Sequence, residues 1–63
     1  MDKAKILQLV DDYANALVAV QIEQDYFINA KNDQQAARSL DRRIAAQQVV
    51  SDLYRQIEEA LNE

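Results

Sequence analysis

The sequence predicts an all-α fold, an antiparallel hairpin of two helices that dimerises into a four-helix bundle. Neither glycine nor proline occurs among the 63 residues, so the tight turns that join β-strands lack their usual residues. Alanine, leucine, glutamine, glutamate, lysine and arginine dominate the chain, and all of them favour helices. Apolar residues recur at spacings of three, four and seven, the period of one helix face. These observations favour a single helical domain over residues 1–63.

The first helix is predicted over about residues 3–30, with Asp2 as its N-terminal cap. Its apolar residues fall within a narrow sector of the helix surface, which would face the second helix. This predicted stripe comprises Ile6, Leu9, Val10, Tyr13, Leu17, Val20 and Phe27.

The turn is predicted at about residues 30–33, where asparagine and aspartate cluster. Asn32, followed three residues later by Gln35, matches the pattern of a capping box that starts a second helix. Because no glycine is available, Asn32 is also the candidate for the left-handed residue that often ends a helix. The second helix is then expected over about residues 33–61.

Folding the chain back at residue 31 or 32 determines which residues of the two helices face each other. Tyr13 would face Val50, and Leu17 would face Ala46, so that large side chains face each other towards the chain termini and large side chains face small ones nearer the turn. The competing arrangement is one continuous helix of about 60 residues, which would need a multi-chain coiled coil.

Apolar residues outside the predicted stripe require a second partner, because a lone hairpin would leave them in water. The segment Ala16–Ile22 illustrates this: Leu17 and Val20 would serve the hairpin, whereas Val18 and Ile22 would point to another chain. We expect a homodimer; the alternatives are a different protein docked on this surface, or a stable monomer. The predicted dimer interface comprises Leu7, Ala14, Val18, Ile22, Val49, Leu53 and Ala60.

A basic cluster in the second helix is the sharpest polar feature of the sequence. Arg38, Arg42 and Arg43, together with Tyr26, form a predicted partner-binding set, since tyrosine and arginine are enriched at binding hot spots. Two alternatives stay open: ion pairs across the hairpin with Glu23 and Asp25, and contacts with RNA phosphates.

The composition narrows the possible functions. There is no cysteine and no histidine. The pairs of acidic residues, Asp11 with Asp12, Glu23 with Asp25 and Glu58 with Glu59, lie outside the apolar stripe. We therefore expect no enzyme, metal site, cofactor or small-molecule substrate. A net charge of −4 disfavours nucleic acid. No apolar run approaches the roughly 18 residues of a membrane span, and no signal peptide is evident, so we expect a cytoplasmic protein.

The expected function is therefore that of a small, dimeric, non-enzymatic regulator or inhibitor that occupies a surface of another protein. Phages and plasmids encode many proteins of this kind. The alternatives are an RNA-binding four-helix bundle that uses the arginine face, and a structural subunit of an assembly.

Overall fold

The computed structural model describes all 63 residues and contains two helices, α1 (Lys3–Ile28) and α2 (Asp33–Leu61). The helices pack against each other in opposite directions, so the predicted hairpin is confirmed. Its Cα atoms extend over 48 × 14 × 10 Å. Both termini lie at one end, here called the open end, where the Lys5 ammonium lies 3.7 Å from the Glu63 carboxylate. Neither helix is long and apolar enough to cross a membrane.

Local hydrogen bonds define the ends of α1. The Asp2 carboxylate accepts a hydrogen bond from the backbone N–H of Lys5 at 3.1 Å, as the sequence predicts. At the other end, Asn29 donates both its backbone N–H and its side-chain amide to the carbonyl of Asp25. These two hydrogen bonds to one carbonyl close the last turn of α1. The helix therefore ends at Ile28, two residues before the predicted boundary.

Asn32 starts α2 through reciprocal capping. Its side-chain oxygen accepts from the N–H of Gln35 at 2.9 Å, and the Gln35 side chain accepts from the N–H of Lys31 at 3.1 Å. The predicted left-handed conformation of Asn32 is wrong: its φ and ψ are −156° and 169°, and no residue of the chain has a positive φ. An N-cap must be extended for its side chain to reach the first turn, which excludes the left-handed conformation.

The surface between the helices follows a heptad repeat, with inner positions at alternating spacings of three and four. Three of its buried members, Ala16, Ser39 and Ala60, are small, which lets the two backbones approach closely. Phe27 occupies one inner position but is 39% exposed. The other inner positions, here called the seam residues, are all buried or half-buried: Ile6, Leu9, Tyr13, Ala16, Val20, Glu23 and Ala30 of α1, and Ala36, Ser39, Arg43, Ala46, Val50, Leu53, Ile57 and Ala60 of α2.

The register differs from the predicted one by about one helical turn. The ring of Tyr13 packs against that of Tyr54, with centroids 6.3 Å apart, instead of facing Val50. Half-buried Ala30 and Ala36 flank the connection, so the reversal is centred on Asp33 in the first turn of α2. The chain thus reverses later than predicted, which shifts every facing pair.

The seam also contains different side chains from those predicted. Val10 and Leu17 were expected there, but they are 46% and 44% exposed, whereas Ala16 is only 8% exposed. At positions 16 and 17 the two closely packed helices place the smaller residue, Ala16, between them and leave Leu17 beside the contact. At positions 9 and 10, both of which belong to the predicted stripe, only Leu9 is buried.

Candidate interaction surfaces

The heptad seam divides the rest of the hairpin into two broad faces. The residue that follows each seam residue lies on one face, and the residue that precedes it lies on the other. In an antiparallel pair, the residues that follow seam residues lie on the same side of the hairpin in both helices, and so do the residues that precede them. The contact between Tyr13 and Tyr54 marks the first face, and the ion pair between Lys5 and Glu63 marks the second.

The first face, here called the apolar face, carries a band of exposed hydrophobic side chains that polar residues interrupt at its middle. Its large members are between 38% and 70% exposed: Leu7, Val10, Leu17, Ile28, Leu40, Ile44, Tyr54 and Leu61. Ala14 and Ala37 lie among them. Four polar residues, Gln21, Gln24, Gln47 and Ser51, occupy its middle. Among residues that directly follow a seam residue or Phe27, only Lys31 and Glu58 are charged.

Tyr54 is the aromatic residue on this face with a perturbed hydroxyl. Glu58, one turn further along α2, raises the pKa of the Tyr54 hydroxyl above its ordinary value of 10.0, by hydrogen bonding and by its negative charge. The neutral phenol is therefore the form that this face presents at physiological pH.

The structure does not bring the seven predicted dimer-interface residues together. Leu7 and Ala14 lie on the apolar face, and Val18 lies on the outer edge of α1. Ile22 and Val49 precede seam residues, so they lie on the opposite face. The remaining two belong to the seam: Leu53 is half-buried, and Ala60, at 2% exposed, has no surface to offer a second chain.

Seven of the eight large residues of the apolar face are absent from the predicted dimer interface: Val10, Leu17, Ile28, Leu40, Ile44, Tyr54 and Leu61. A signal for them exists in the sequence. Once small residues such as Ala16 and Ser39 are placed in the seam, the following residue is apolar at most positions. If Leu17 is placed in the seam instead of Ala16, these apolar residues no longer share one face.

The second face, here called the polar face, contains six charged residues that precede seam residues, against two charged residues on the apolar face. They are Lys5, Asp12, Arg38, Arg42, Asp52 and Glu59. Ile22, Tyr26 and Val49 are its exposed large hydrophobic residues. Together with Ala19 and Ala45 they form a patch that contains three large hydrophobic side chains, against eight on the apolar face.

A shallow cavity of about 330 Å³ opens on the polar face near the turn. It brings together three of the four predicted partner-binding residues, Tyr26, Arg38 and Arg42. Its other lining residues are Asn29, Ala30, Gln35 and Ser39. The fourth predicted residue, Arg43, is a half-buried seam residue and does not line this turn-end pocket.

The arginines of the turn-end pocket differ in how they are bound. Arg42 donates from Nε to the Glu23 carboxylate at 2.8 Å and from Nη2 to the Ser39 hydroxyl at 3.3 Å. This confirms the expected cross-hairpin pairing for Glu23, whereas Asp25 accepts from the Gln21 side chain within α1. Arg38 makes no ion pair or hydrogen bond within the chain, so its donors face solvent.

No group of three or more acidic side chains converges in a way that could hold a metal ion. Comparison with known proteins adds no assignment, since no family model, curated protein or solved structure matches the chain.

Proposed function

We propose that this chain is a small, dimeric, non-enzymatic regulator that acts by occupying a surface of another protein. The observation that supports it is the apolar face of a hairpin that buries few residues between its own helices. Only five of the 63 residues are buried, while eight large hydrophobic side chains stand exposed on one side. Soluble proteins rarely leave a band of this kind uncovered.

Covering the apolar face would stabilise the hairpin as well as create a dimer. Burying the remaining exposed part of a leucine-sized side chain contributes about 1 kcal/mol. Several such side chains together contribute as much as a typical small domain's whole net stability of about 5 kcal/mol. Association and folding are therefore expected to be coupled in this chain.

Contact with the regulated protein is assigned to the turn-end pocket. Tyr26 is 60% exposed, and the neighbouring Arg38 has no partner within the chain. An exposed tyrosine beside a free guanidinium can pack on an apolar residue and bind a carboxylate of the partner protein. Because the pocket lies on the polar face, a dimer formed through the apolar face would leave both of its pockets open.

The test is a comparison of captured partners. Cell extract from the source would be chemically cross-linked to the immobilised protein, to a Tyr26→Ala/Arg38→Ala variant and to an Arg55→Ala control. Arg55 is an exposed arginine that pairs only with Asp52 and Glu59 of its own helix. We expect a specific protein that the control retains and the double variant loses by at least about tenfold, the equivalent of one hot-spot residue.

Two results would contradict the proposed function. One is a double variant that retains the same partner as the control. The other is salt-dependent binding of stem-loop RNA, with loss on Arg38→Ala, which would assign the arginines to nucleic acid instead.

A further inference from the structure

We propose that the apolar face binds a second copy of this chain in the antiparallel orientation, with the open end of one hairpin over the turn of the other. This inference rests on the dimer of the proposed function and adds its geometry. It follows from the size of the face, the distribution of charge along the hairpin, and the distribution of large and small side chains.

The size of the apolar face suits a symmetric dimer. With Cα extents of 48 and 14 Å in the plane of the two helices, the face covers roughly 700 Å² before side chains are added, close to the 800 Å² or so per partner of a standard interface. A second hairpin has the same dimensions, so it would cover the whole band from Leu7 and Leu61 to Ile28 and Leu40.

The charge of the chain is concentrated at one end. Residues 13–22 and 44–51, the middle of the hairpin, contain no charged side chain. Residues 1–12 and 52–63, at the open end, contain seven acidic and three basic side chains and so carry the whole net charge of −4. Residues 23–43, at the turn, contain four of each and are neutral.

This asymmetry favours one orientation. If two hairpins stacked in the same direction, both ends of charge −4 would lie together, and like charges would repel. In the antiparallel orientation, each acidic end lies over a neutral end whose basic residue on the apolar face is Lys31. Repulsion is then minimal at both ends of the dimer.

Side-chain size along the face favours the same orientation. The packed rings of Tyr13 and Tyr54 make the open half bulky. In the turn half, the seam beneath the face contains Ala30 and Ala36, and Ala37 lies on the face beside Ile28, Leu40 and Ile44. Antiparallel stacking places the bulky half of each hairpin over the smaller half of its partner, which keeps the helix layers evenly spaced.

The polar middle of the face is compatible with this arrangement. A two-fold axis through the centre of the interface brings Gln21 and Gln47 close to the same residues of the second copy. Side-chain amides can donate to and accept from one another across such an axis, and buried polar pairs of this kind fix the register of helical bundles.

Distances between spin labels would test the orientation. The chain has no cysteine, so a single Asn62→Cys substitution labels the open end only. The antiparallel dimer predicts a label separation close to the 48 Å length of the hairpin. Stacking in the same direction predicts less than about 25 Å, roughly two helix diameters.

A second label separates failure of the orientation from failure of the dimer. Asn15→Cys labels the polar face near the middle of the hairpin, where both orientations give a similar, short separation. A signal at position 15 with a short distance at position 62 would overturn the antiparallel orientation alone. No intermolecular signal from either label at about 100 µM protein would overturn both this inference and the dimer of the proposed function.

Discussion

Ala16 is the least exposed residue of α1. It is 8% exposed, and it lies between Tyr13 and Val20 along the seam. We expect Ala16→Leu to lower the free energy of unfolding by about 1–3 kcal/mol, because three added carbon atoms would force the helices apart. Urea denaturation at a fixed protein concentration measures this change.

The matched control for Ala16 is Ala19→Leu. Ala19 is exposed on the polar face, and leucine and alanine have similar helix propensities, so this change should alter the free energy of unfolding by less than about 0.5 kcal/mol. Equal losses for the two variants would mean that Ala16 is not in the seam.

Tyr54 provides a second test at the level of one residue. Glu58→Gln removes the negative charge and the ionised hydrogen-bond acceptor that raise the pKa of the Tyr54 hydroxyl, so that pKa should fall towards its ordinary value of 10.0. A titration of the tyrosine signals by NMR measures it. Glu59→Gln, on the polar face, should leave the Tyr54 titration unchanged.

The same pKa determines the sign of a pH effect on stability. A phenol whose pKa is raised on folding holds its proton more tightly in the folded chain than in the unfolded chain. Its contribution is complete below the unfolded pKa of 10.0 and is lost as pH rises through the higher folded pKa. Glu58→Gln should therefore reduce the loss of stability in this alkaline range.

At the scale of the helices, Asn32 should contribute more to the free energy of unfolding than any other residue of the connection. Its side chain accepts from the Gln35 N–H at 2.9 Å. Replacing a cap of this kind by alanine costs about 0.5–2 kcal/mol. Asn32→Ala should show this loss in urea denaturation, whereas Asn32→Asp should retain most of the stability. Asn15→Ala, in the middle of α1, is the control and should be neutral or slightly stabilising.

Caps such as Asp2 and Asn32 could be predicted from the sequence because they depend on residues three positions apart. The register could not, because it depends on which of two neighbouring apolar residues enters the seam. Leu17 is larger and more hydrophobic than Ala16, so sequence reasoning places it inside. The two helices lie too close together for leucine at this position, so Ala16 is buried instead. The distance between the helices depends on both of them and cannot be read from one helix alone. The assignment of Val18 and Ile22 to the predicted dimer interface follows from this one exchange.

The corrected assignment of helix faces gives a prediction that reverses the one from the sequence. Leu17→Asp should weaken self-association at least about tenfold, and its helix content should fall only together with dissociation, because Leu17 is on the apolar face and outside the seam. Val18→Asp should have little effect on either property, since Val18 lies on the outer edge of α1. Sedimentation and far-UV circular dichroism measure the two properties, and a stronger effect of Val18→Asp would restore the original assignment.

The hairpin as a whole is a long, thin molecule with little interior. Its only buried hydrophobic residues are Leu9, Ala16, Val50 and Ala60, with Ser39 as the one buried polar residue. A domain of this size usually needs a disulfide, a metal or a partner chain to be stable. Neither cysteine nor a group of metal-binding side chains is present, so we expect a second copy on the apolar face to supply this stability.

If the dimer supplies that stability, the melting temperature must depend on protein concentration. A tenfold increase in concentration changes the free energy of dissociation by about 1.4 kcal/mol. For two chains of 63 residues, with an unfolding entropy of about 2.1 cal/mol/K per residue, this corresponds to a rise of about 5 °C per tenfold increase. Thermal scans between about 5 and 500 µM would therefore span about 10 °C.

Val18→Asp should follow the same slope, whereas Leu17→Asp should melt at a lower temperature with little dependence on concentration. A melting temperature of the unsubstituted chain that is constant over this range would show that the thin seam alone sustains the fold.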